Sequence, residues 1–325
     1  MTVLAFDIGG TRIKAGLVAH GRVLTSVTAS TDDSGQAANV HAQLVSLGRA
    51  VAEDKEISAI GISVRGIVDP IARAVVDVNP PLRCLIGEPL AALLETDFGA
   101  PARIENDARA HALGELRHGA ARGATELVCI TIGTGIGVAV ASSGEIVRGP
   151  RGMWGILGGH FTVVVDGPDC SCGNRGCLEA LIGARGIVAD AAGRLRAGET
   201  SVLSLDELEP ASVFAAAAGG DAVARACVDR FVDVLGSGVV SLVHAYDPDL
   251  VVVGGGVSAS ADQFLPRLRE YVSLRAWTYP KGRVRIEVSE LGHAAALVGV
   301  AEFAATESLP RSDRARDAGT TSSDR

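Results

Sequence analysis

Apolar residues in the first third of the chain fall in the short runs and alternating patterns that are typical of β-strands. Three such segments follow one another closely, VLAFDIGG, RIKAGLVAH and RVLTSVTAS. A helical stretch follows near Ala37–Ala52, and then a buried strand, ISAIGISV. The pattern predicts strands that include a hairpin, then a helix and a further buried strand.

A later segment repeats this pattern. ARIENDARAHALGEL predicts a strand that runs into a helix at Asn106 and Asp107, and ELVCITIGTGIGVAVAS followed by EIVRG returns to apolar strands around a glycine turn. The stretches DIGGT (7–11) and TIGTG (131–135) therefore occupy equivalent points of two related halves. Such internal similarity predicts two domains of one fold with a cleft between them. Two unrelated glycine hairpins are the alternative.

The rest of the chain is mostly helical in pattern. Residues 178–246 are rich in alanine and in apolar residues at three- and four-residue spacing. DPDLVVVGGGVSAS then predicts a buried strand, a triple-glycine turn and the start of a helix. After Ser308 the sequence is polar without an apolar period, so residues 309–325 are predicted to form a disordered tail.

Composition limits the classes of protein to consider. The 325 residues, 47% hydrophobic and 21% charged, are typical of a soluble globular protein. A net charge of −8 argues against nucleic acid as a partner. No apolar run is long enough for a membrane span, and the first residues lack the features of a signal peptide. Three of the six cysteines fall within eight residues, which indicates a metal site in a cytoplasmic protein and not a disulfide framework.

Three glycine-rich turns indicate phosphate and nucleotide binding. In DIGGTRIK, a glycine turn lets backbone amides approach phosphate oxygens, and Asp7 can hold Mg²⁺ through water. TIGTGIG is a second such hairpin, and GGGV (254–257) offers a flat surface for adenine or ribose. The residues predicted to bind ATP are Asp7, Gly9, Gly10, Thr11, Lys14, Thr131, Gly133, Thr134, Gly135, Gly254, Gly255 and Gly256.

With these turns in this order, the chain resembles the sugar kinases of the ROK family (repressor, open reading frame, kinase) from residue 3 to about residue 305. The resemblance implies an α/β fold of two actin-like, Hsp70-like ATPase (ribonuclease H-like) domains that flank an active-site cleft. Residues 1–107 would form the smaller domain, completed by a C-terminal helix near 294–306. Residues 108–293 would form the larger domain, which carries the zinc site.

The most specific part of the resemblance is CSCGNRGCLE (170–179) with a histidine upstream. In the family, one histidine and three cysteines bind a structural zinc, and the matching residues here are His160, Cys170, Cys172 and Cys177. One histidine and three close thiolates also satisfy tetrahedral Zn²⁺ and leave no open position for catalysis. Three buried free cysteines in a loop are the alternative.

An Asn-Asp pair between a strand and a helix is the catalytic element of the family, matched here by Asn106 and Asp107. Asp107 would accept the proton of the attacking sugar hydroxyl. Because phosphoryl transfer passes through a loose transition state, an ordinary carboxylate pKa of about 4 would be no obstacle. The alternative is that one of the two residues only caps the helix.

The resemblance also implies a set of sugar contacts. His160 would use one ring nitrogen for zinc and the other for a sugar hydroxyl, so that the metal fixes its orientation. Glu179 would accept two hydrogen bonds from neighbouring hydroxyls. The alternative is that it is only an acid in the first turn of a helix, where the helix dipole stabilises a negative charge. The residues predicted to contact the sugar are Gly66, Asn79, Asn106, Asp107, His160 and Glu179.

Two residues depart from the family pattern near this pocket. The family commonly has a glutamate three residues before the zinc histidine, which contacts the sugar near its anomeric end. Here that position is Leu157, and no acid lies between Glu145 and Asp166. Arg65 stands where the family usually has a proline before Gly66. These two changes leave the identity of the sugar open.

The function predicted from the resemblance is a kinase that uses ATP and Mg²⁺ to phosphorylate a hydroxyl of a hexose or hexose derivative. Glucose is the default acceptor, with N-acetylated or otherwise modified sugars as options. The alternative is a catalytically weak regulator that binds sugar or nucleotide on the same fold. A DNA-binding repressor is not expected, because only six residues precede Asp7. A polyphosphate-using relative is disfavoured, because that branch lacks the cysteine cluster. A homodimer is expected from the family.

Overall fold

The structure is a computed structural model, which describes residues 1–53 and 55–306. The predicted tail (309–325) lies outside the described residues. The strands are β1 (Val3–Ile8), β2 (Arg12–Ala19), β3 (Arg22–Ser30), β4 (Ala59–Val64), β5 (Ile67–Asp69), β6 (Ala74–Asp77), β7 (Ala102–Asn106), β8 (Leu127–Ile132), β9 (Ile136–Ser142), β10 (Glu145–Ile146), β11 (Leu250–Gly254) and β12 (Arg285–Val288). The α-helices are α1 (Ala37–Ala52), α2 (Leu90–Phe98), α3 (Asp107–His118), α4 (Leu178–Ile182), α5 (Ala184–Arg196), α6 (Pro210–Ala218), α7 (Ala222–Tyr246), α8 (Ala261–Arg275) and α9 (Ala295–Ala305).

The first sheet has the strand order β3-β2-β1-β4-β7. Its first three strands are antiparallel, whereas β1, β4 and β7 run parallel. Helices α1 and α2 share a buried apolar cluster with one face of this sheet, and α9 covers the other face. Burial on both faces explains why the sequence of β4, AIGISV, is apolar with almost no alternation.

The second sheet has the order β10-β9-β8-β11-β12 and repeats the same pairing pattern. β8 and β9 form an antiparallel hairpin, and β8, β11 and β12 run parallel. The glycine turn 7–11 joins β1 to β2, and the glycine turn 131–135 joins β8 to β9. The two turns therefore occupy equivalent positions in the two sheets. The predicted internal repeat is therefore confirmed.

Several short elements escape the sequence pattern. The segment EIVRG contributes only the two residues of β10, and the hairpin of β5 and β6 was not predicted. Strands of two to four residues are too short to establish an alternation of apolar and polar side chains. The predicted helical region 178–246 is confirmed, as four helices with one extended connection between α5 and α6.

Helices α3 and α9 cross in close contact between the two sheets. α3 continues directly from β7 and covers the second sheet, while α9 packs on β1 and β4. A Cβ atom on Gly299 would overlap the carbonyl oxygen of Ala110, and one on Gly114 would overlap that of Ala295. The two backbones therefore meet without side chains between them. The division into domains near Asp107 stays a prediction.

None of the helices in 1–53 or 55–306 combines the length and the apolarity needed to cross a bilayer.

Candidate active site

The carboxyl ends of β1, β4 and β7 lie level at one edge of the first sheet. Ile8 pairs with Val64, and Val64 pairs with Asn106. The residues that follow each strand are therefore neighbours at this edge, where ligands of open parallel sheets commonly bind. They are Gly9 and Gly10 after β1, Arg65 and Gly66 after β4, and Asp107 after β7.

The turn between β1 and β2 is held by a hydrogen bond within its own backbone and by two hydrogen bonds from Thr31, which follows β3. The Gly9 amide donates to the Arg12 carbonyl at 3.0 Å and closes the turn. The Thr31 hydroxyl donates to the Gly9 carbonyl at 2.7 Å, and the Thr31 amide donates to the Thr11 carbonyl at 3.0 Å. This bracing keeps the turn in one shape, as a backbone site for phosphate oxygens requires.

Asp7 is a partly buried carboxylate at the end of β1. The Ser63 hydroxyl donates to Asp7 Oδ1 at 3.0 Å. Burial raises the pKa of Asp7, against the opposing effects of the Lys14 charge and the Ser63 hydrogen bond. A desolvated carboxylate gains from a cation beside it, and carboxylate oxygen is a donor that Mg²⁺ prefers. Asp7 therefore fits the predicted magnesium position.

Asn106 is the N-cap of α3. Its Oδ1 accepts a hydrogen bond from the Arg109 amide at 3.1 Å. Its Nδ2 donates to the Gly66 carbonyl at 2.8 Å and to Asp107 Oδ1 at 3.0 Å. Asn106 therefore caps the helix, as the alternative predicted, and its side chain also ties Gly66, after β4, to the start of α3. Its contact with a sugar stays a prediction.

Asp107 is the first residue of α3, and its side chain is partly buried. Oδ1 accepts from the Ala108 amide at 2.9 Å, while Oδ2 accepts no hydrogen bond from the residues that the structure describes. Burial, and then the negative charge of Asp7, raise the pKa of Asp107 to about 6, although the Ala108 amide and the Arg65 charge oppose this shift. The carboxylate is thus a stronger base than the ordinary pKa of about 4 implies.

The other two glycine turns meet at the edge of the second sheet. Thr131 in β8 pairs with Gly254 in β11. Gly255 has a φ of 85°, and a Cβ atom there would overlap the Ile132 carbonyl oxygen, so only glycine fits. At Gly133 and Gly256, in contrast, an added Cβ would meet no atom within 4 Å, which leaves these two backbones open to a ligand.

The two threonines of this turn differ in accessibility. The Thr131 hydroxyl turns back towards the Gly137 carbonyl at 3.4 Å. Thr134 is exposed at the tip. Their binding to ATP stays a prediction, with Thr134 the more accessible of the two.

Helix α3 brings the two edges together. Its first residue, Asp107, lies at the first edge, and Ala108 Cβ lies 2.9 Å from the position of a Cβ on Gly137 in β9. One turn further on, His111 Nε2 lies 2.5 Å from the position of a Cβ on Gly254. The first two turns of α3 therefore touch both glycine-lined edges. All three predicted nucleotide segments gather around the start of this helix.

Four predicted metal ligands converge in the loop before α4. The ligand atoms of His160, Cys170, Cys172 and Cys177 all lie within 4.8 Å of one another. Cys172 Sγ and Cys177 Sγ are 3.8 Å apart, and Cys170 Sγ lies 3.6 Å from His160 Nδ1. Tetrahedral Zn²⁺ with Zn–S bonds of about 2.3 Å separates its ligands by about 3.8 Å. The donor set and its spacing fit zinc.

The other predicted sugar contacts lie on separate segments, Glu179 in α4 and Gly66 and Asn79 in connections between elements. Glu179 Oε2 accepts from the Ile136 amide at 2.8 Å, so this residue is attached to the hairpin of β8 and β9. Asn79 is exposed, and Val78 before it packs on Gly66. Leu157, in the position of the family glutamate, is 39% exposed. The contacts of Glu179, Asn79 and Gly66 with a sugar stay predictions.

A buried ion-pair network beside Asp107 was not identified from the sequence. Glu105 and Arg109 are 1% and 0% exposed, and Arg148 donates to Glu105 Oε2 at 2.8 Å and 2.7 Å. Arg109 Nη2 donates to the Trp154 carbonyl at 2.9 Å. The network joins β7 and α3 to the loop that leads to His160. The four-residue spacing of Glu105 and Arg109 was a signal, but such pairs are more common on solvated helix faces.

Comparisons with known proteins agree with this geometry. The ROK family model matches residues 3–307. A glucokinase of Thermotoga maritima is 31% identical over 309 residues, which cover 93% of this chain and 97% of that protein. A xylose repressor of Caldicellulosiruptor bescii is 31% identical over 258 residues, which cover 78% of this chain and 64% of the repressor. The crystal structure of a ROK family glucokinase from Streptomyces griseus, in complex with glucose and AMPPNP, superposes with a TM-score of 0.82 at 31% identity and covers 94% of this chain and 99% of that chain.

Proposed function

The chain belongs to the ROK family, and from its site we propose that it is an ATP-dependent sugar kinase in which Asp107 is the catalytic base. The observation that carries the proposal is the position of Asp107. Asp107 has a raised pKa and a carboxylate oxygen that accepts no hydrogen bond from the described residues, and it lies at the start of a helix that touches both glycine-lined edges. The glucokinase relatives and the fold support the same reaction.

The chemistry follows from this arrangement. A sugar hydroxyl attacks the γ-phosphorus of ATP, and the bond from the γ-phosphorus to the β,γ-bridging oxygen breaks, so that ADP leaves with the electron pair. Asp107 accepts the hydroxyl proton and passes it to solvent. Because the transition state is loose, positioning of the hydroxyl and neutralisation of the phosphoryl charge matter most.

The nucleotide would lie along the two edges. The β1–β2 turn and the 131–135 turn would hold the phosphates with backbone amides, and the 254–256 turn would support the adenosine. Asp7 would hold Mg²⁺, which neutralises phosphate charge when bound. Its pKa, raised by burial, gives the carboxylate a reason to take up a cation.

We propose zinc as the structural metal of His160, Cys170, Cys172 and Cys177. His160 Nδ1 lies on the cysteine side, at 3.6 Å from Cys170 Sγ, which leaves Nε2 for a sugar hydroxyl. Zinc would fix the ring and with it the end of the 152–160 loop. The metal would then hold the loop at His160, while Arg109 holds it at Trp154 through the hydrogen bond to the Trp154 carbonyl.

The acceptor is proposed to be a hexose, with glucose as the first candidate because three relatives that match 90–93% of this chain, and 92–97% of their own length, are glucokinases. A cytoplasmic homodimer, and domains bounded near Asp107, are further expectations from the family. Sedimentation velocity would test the dimer.

The deciding experiment measures ADP release with ATP and Mg²⁺ over glucose, mannose, N-acetylglucosamine and N-acetylmannosamine. We expect turnover with at least one of them, and we expect Asp107→Asn to lower kcat by about 10²- to 10⁴-fold. Asp206→Asn is the matched control, because Asp206 is exposed on a connection between α5 and α6. Sugar or nucleotide binding without turnover on the whole panel would instead favour the regulator alternative.

A further inference from the structure

We propose that Arg65 is a further catalytic residue, whose guanidinium binds the oxygens of the γ-phosphoryl group while it passes from ATP to the sugar. This inference rests on the proposed kinase function. Arg65 replaces the proline that the family usually has at this position, so the residue belongs to this chain and not to the general family pattern.

The topology places Arg65 between the two ends of the reaction. β4 lies between β1 and β7 in the sheet, and the three strands end level. Arg65, which follows β4, is therefore flanked by the phosphate turn that follows β1 and by Asp107, which follows β7. The transferring phosphoryl group has to pass between these same neighbours.

The side chain reaches over the phosphate turn. Arg65 Nη1 lies 2.8 Å, and Cδ 3.7 Å, from the position that a Cβ atom on Gly10 would occupy. Pro81 Cδ, from the loop that carries Asn79, lies 3.6 Å from the same point. Gly10 thus leaves the space that the guanidinium fills, at the junction of the phosphate turn and the predicted sugar loop.

The guanidinium is available for a ligand. It is partly exposed, and it forms no hydrogen bond or ion pair with any residue in 1–53 or 55–306. Lys14, which lies in β2, already donates from its Nζ to the His293 carbonyl at 3.2 Å, although its charge still acts on Asp7. Arg12 is exposed at the start of β2. Arg65 is therefore the cation best placed at the point of transfer.

The electrostatics of the site call for such a cation. Asp7 and Asp107 are two carboxylates close enough that the charge of Asp7 raises the pKa of Asp107, and the charge of Arg65 lowers it. A γ-phosphoryl group brings further negative charge to this position. The planar guanidinium offers paired donors that match two phosphoryl oxygens, and such contacts gain strength as charge develops during transfer.

Arg65 and Asp107 have different roles in the transfer step. The sugar oxygen bonds to the γ-phosphorus, the bond to the β,γ-bridging oxygen breaks, and the hydroxyl proton goes to Asp107. Arg65 gives up no proton and holds the equatorial oxygens throughout. Loss of Arg65 should therefore lower kcat without changing the sugar KM.

The test compares the wild type with two variants. Arg65→Gln removes the charge, and Arg65→Lys keeps the charge but lacks the paired donors of the guanidinium. We expect Arg65→Gln to lower kcat by roughly 10²-fold or more with the KM for sugar unchanged, and Arg65→Lys to fall between it and the wild type. Arg49→Gln, an exposed arginine of α1, is the control for net charge and should match the wild type.

A binding measurement separates this role from a structural one. ADP with aluminium fluoride, Mg²⁺ and sugar mimics the transferring phosphoryl group. Arg65→Gln should weaken this complex by the factor lost in kcat and leave the affinity for ADP alone unchanged. Equal affinity of variant and wild type for the mimic would overturn the proposal, even if the wild type turned over none of the sugars tested.

Kinetics with an acidic sugar as acceptor test another possible role of Arg65, the recognition of an anionic substrate. If Arg65 instead recognised an anionic sugar, glucuronate would be the better acceptor, and Arg65→Gln would raise the KM for glucuronate with kcat unchanged. That result would also overturn the proposal. The wild type could also fail to turn over every sugar while Arg65→Gln still shows the expected loss of affinity for the mimic. That outcome would reject the kinase function but leave the phosphoryl contact in place.

Discussion

At the scale of single residues, the proposed chemistry depends on the protonation of Asp107. The carboxylate is partly buried beside Asp7, and these two causes raise its pKa to about 6. A base with a pKa nearer to the working pH holds a proton more readily while it remains mostly ionised at neutral pH. The environment thus improves the base and at the same time restricts the pH range in which it works.

We expect kcat/KM to be constant above about pH 7 and to fall about tenfold per pH unit below pH 6. The reason is that Asp107 must be ionised in the free enzyme, and kcat/KM reports the pKa of the free enzyme. Initial rates between pH 4.5 and 8.5 with saturating Mg²⁺ provide the measurement. An acid limb centred near pH 4 would contradict the raised pKa.

Stability provides a check that does not depend on catalysis. The folded protein disfavours the charged form of Asp107, so the penalty is absent below pH 4 and complete above pH 6. Unfolding by urea should show Asp107→Asn to be more stable than the wild type at pH 7.5, and the difference should vanish towards pH 4. A constant difference across this range would point to a cause other than ionisation.

Leu157 is the residue at which sugar affinity can be tested. It is 39% exposed, so a glutamate there need not be buried. Leu157→Glu restores the acid that the family places near the anomeric end of the sugar. A hydrogen bond to a charged group contributes about 1.5–3 kcal/mol, so the KM for glucose should fall about 10- to 100-fold. Val164→Glu, at a residue 38% exposed in the same region, is the control and should leave the KM unchanged.

At the scale of elements, we expect the cysteine loop to depend on the proposed zinc to hold its shape. Its backbone forms tight turns, with the Cys170 amide bonded to the Asn174 carbonyl at 2.8 Å and the Gly173 amide bonded to the Cys170 carbonyl at 3.0 Å. No disulfide links its cysteines. Three thiols brought this close gain little from one another, so the metal is expected to supply the stability of this loop.

Removal of the metal should therefore act on both stability and sugar binding. We expect the purified protein to contain about one zinc per chain. Cys172→Ser should lose zinc, lower the free energy of unfolding by more than about 2 kcal/mol and raise the sugar KM, since His160 loses its anchor. Cys84→Ser, at a half-buried thiol outside the cluster, should keep the zinc. Emission spectrometry and denaturant titration measure these effects, and a Cys172→Ser variant that retained full zinc would refute the ligand assignment.

At the scale of the whole molecule, the crossing of α3 and α9 connects the two sheets. α3 carries Asp107 at one end and packs on the second sheet, while α9 packs on the first sheet. The helices touch through Gly114 and Gly299, where no side chain separates the backbones. The relative position of the two glycine-lined edges, and therefore of ATP and sugar, depends on this contact.

A methyl group at the crossing should disturb the whole fold. In Gly299→Ala, the Cβ would overlap the Ala110 carbonyl oxygen and approach the Gly114 amide, which are backbone atoms with little freedom to move. We expect a loss of about 3 kcal/mol or more in the free energy of unfolding. Gly193→Ala in α5 is the matched control, because its Cβ would meet nothing within 4 Å and should stabilise the helix by about 0.5–1 kcal/mol. Thermal denaturation of both variants distinguishes these outcomes, and equal midpoints would show that the crossing can adapt.

The sequence by itself determined the features that depend on local pattern. Alternating apolar strands and the two glycine hairpins predicted the repeated sheets, and the spacing of His160, Cys170, Cys172 and Cys177 predicted a metal cluster. The family was also recognisable, because turns that approach phosphate need glycine and zinc needs a fixed donor set. These signals survive in a linear chain because each depends on residues that are close in sequence or on residue type alone.

Only the tertiary structure decided the environment of each group. It assigned Asn106 to the helix cap, raised the pKa of Asp107 through burial and Asp7, and directed Arg65 over Gly10. It also buried Glu105 with Arg109, a pair that in sequence looks like part of a solvated helix face. Burial and charge–charge distances arise from elements 40 to 100 residues apart that pack together. Since desolvation and Coulomb energies depend on those distances, no local pattern contains them.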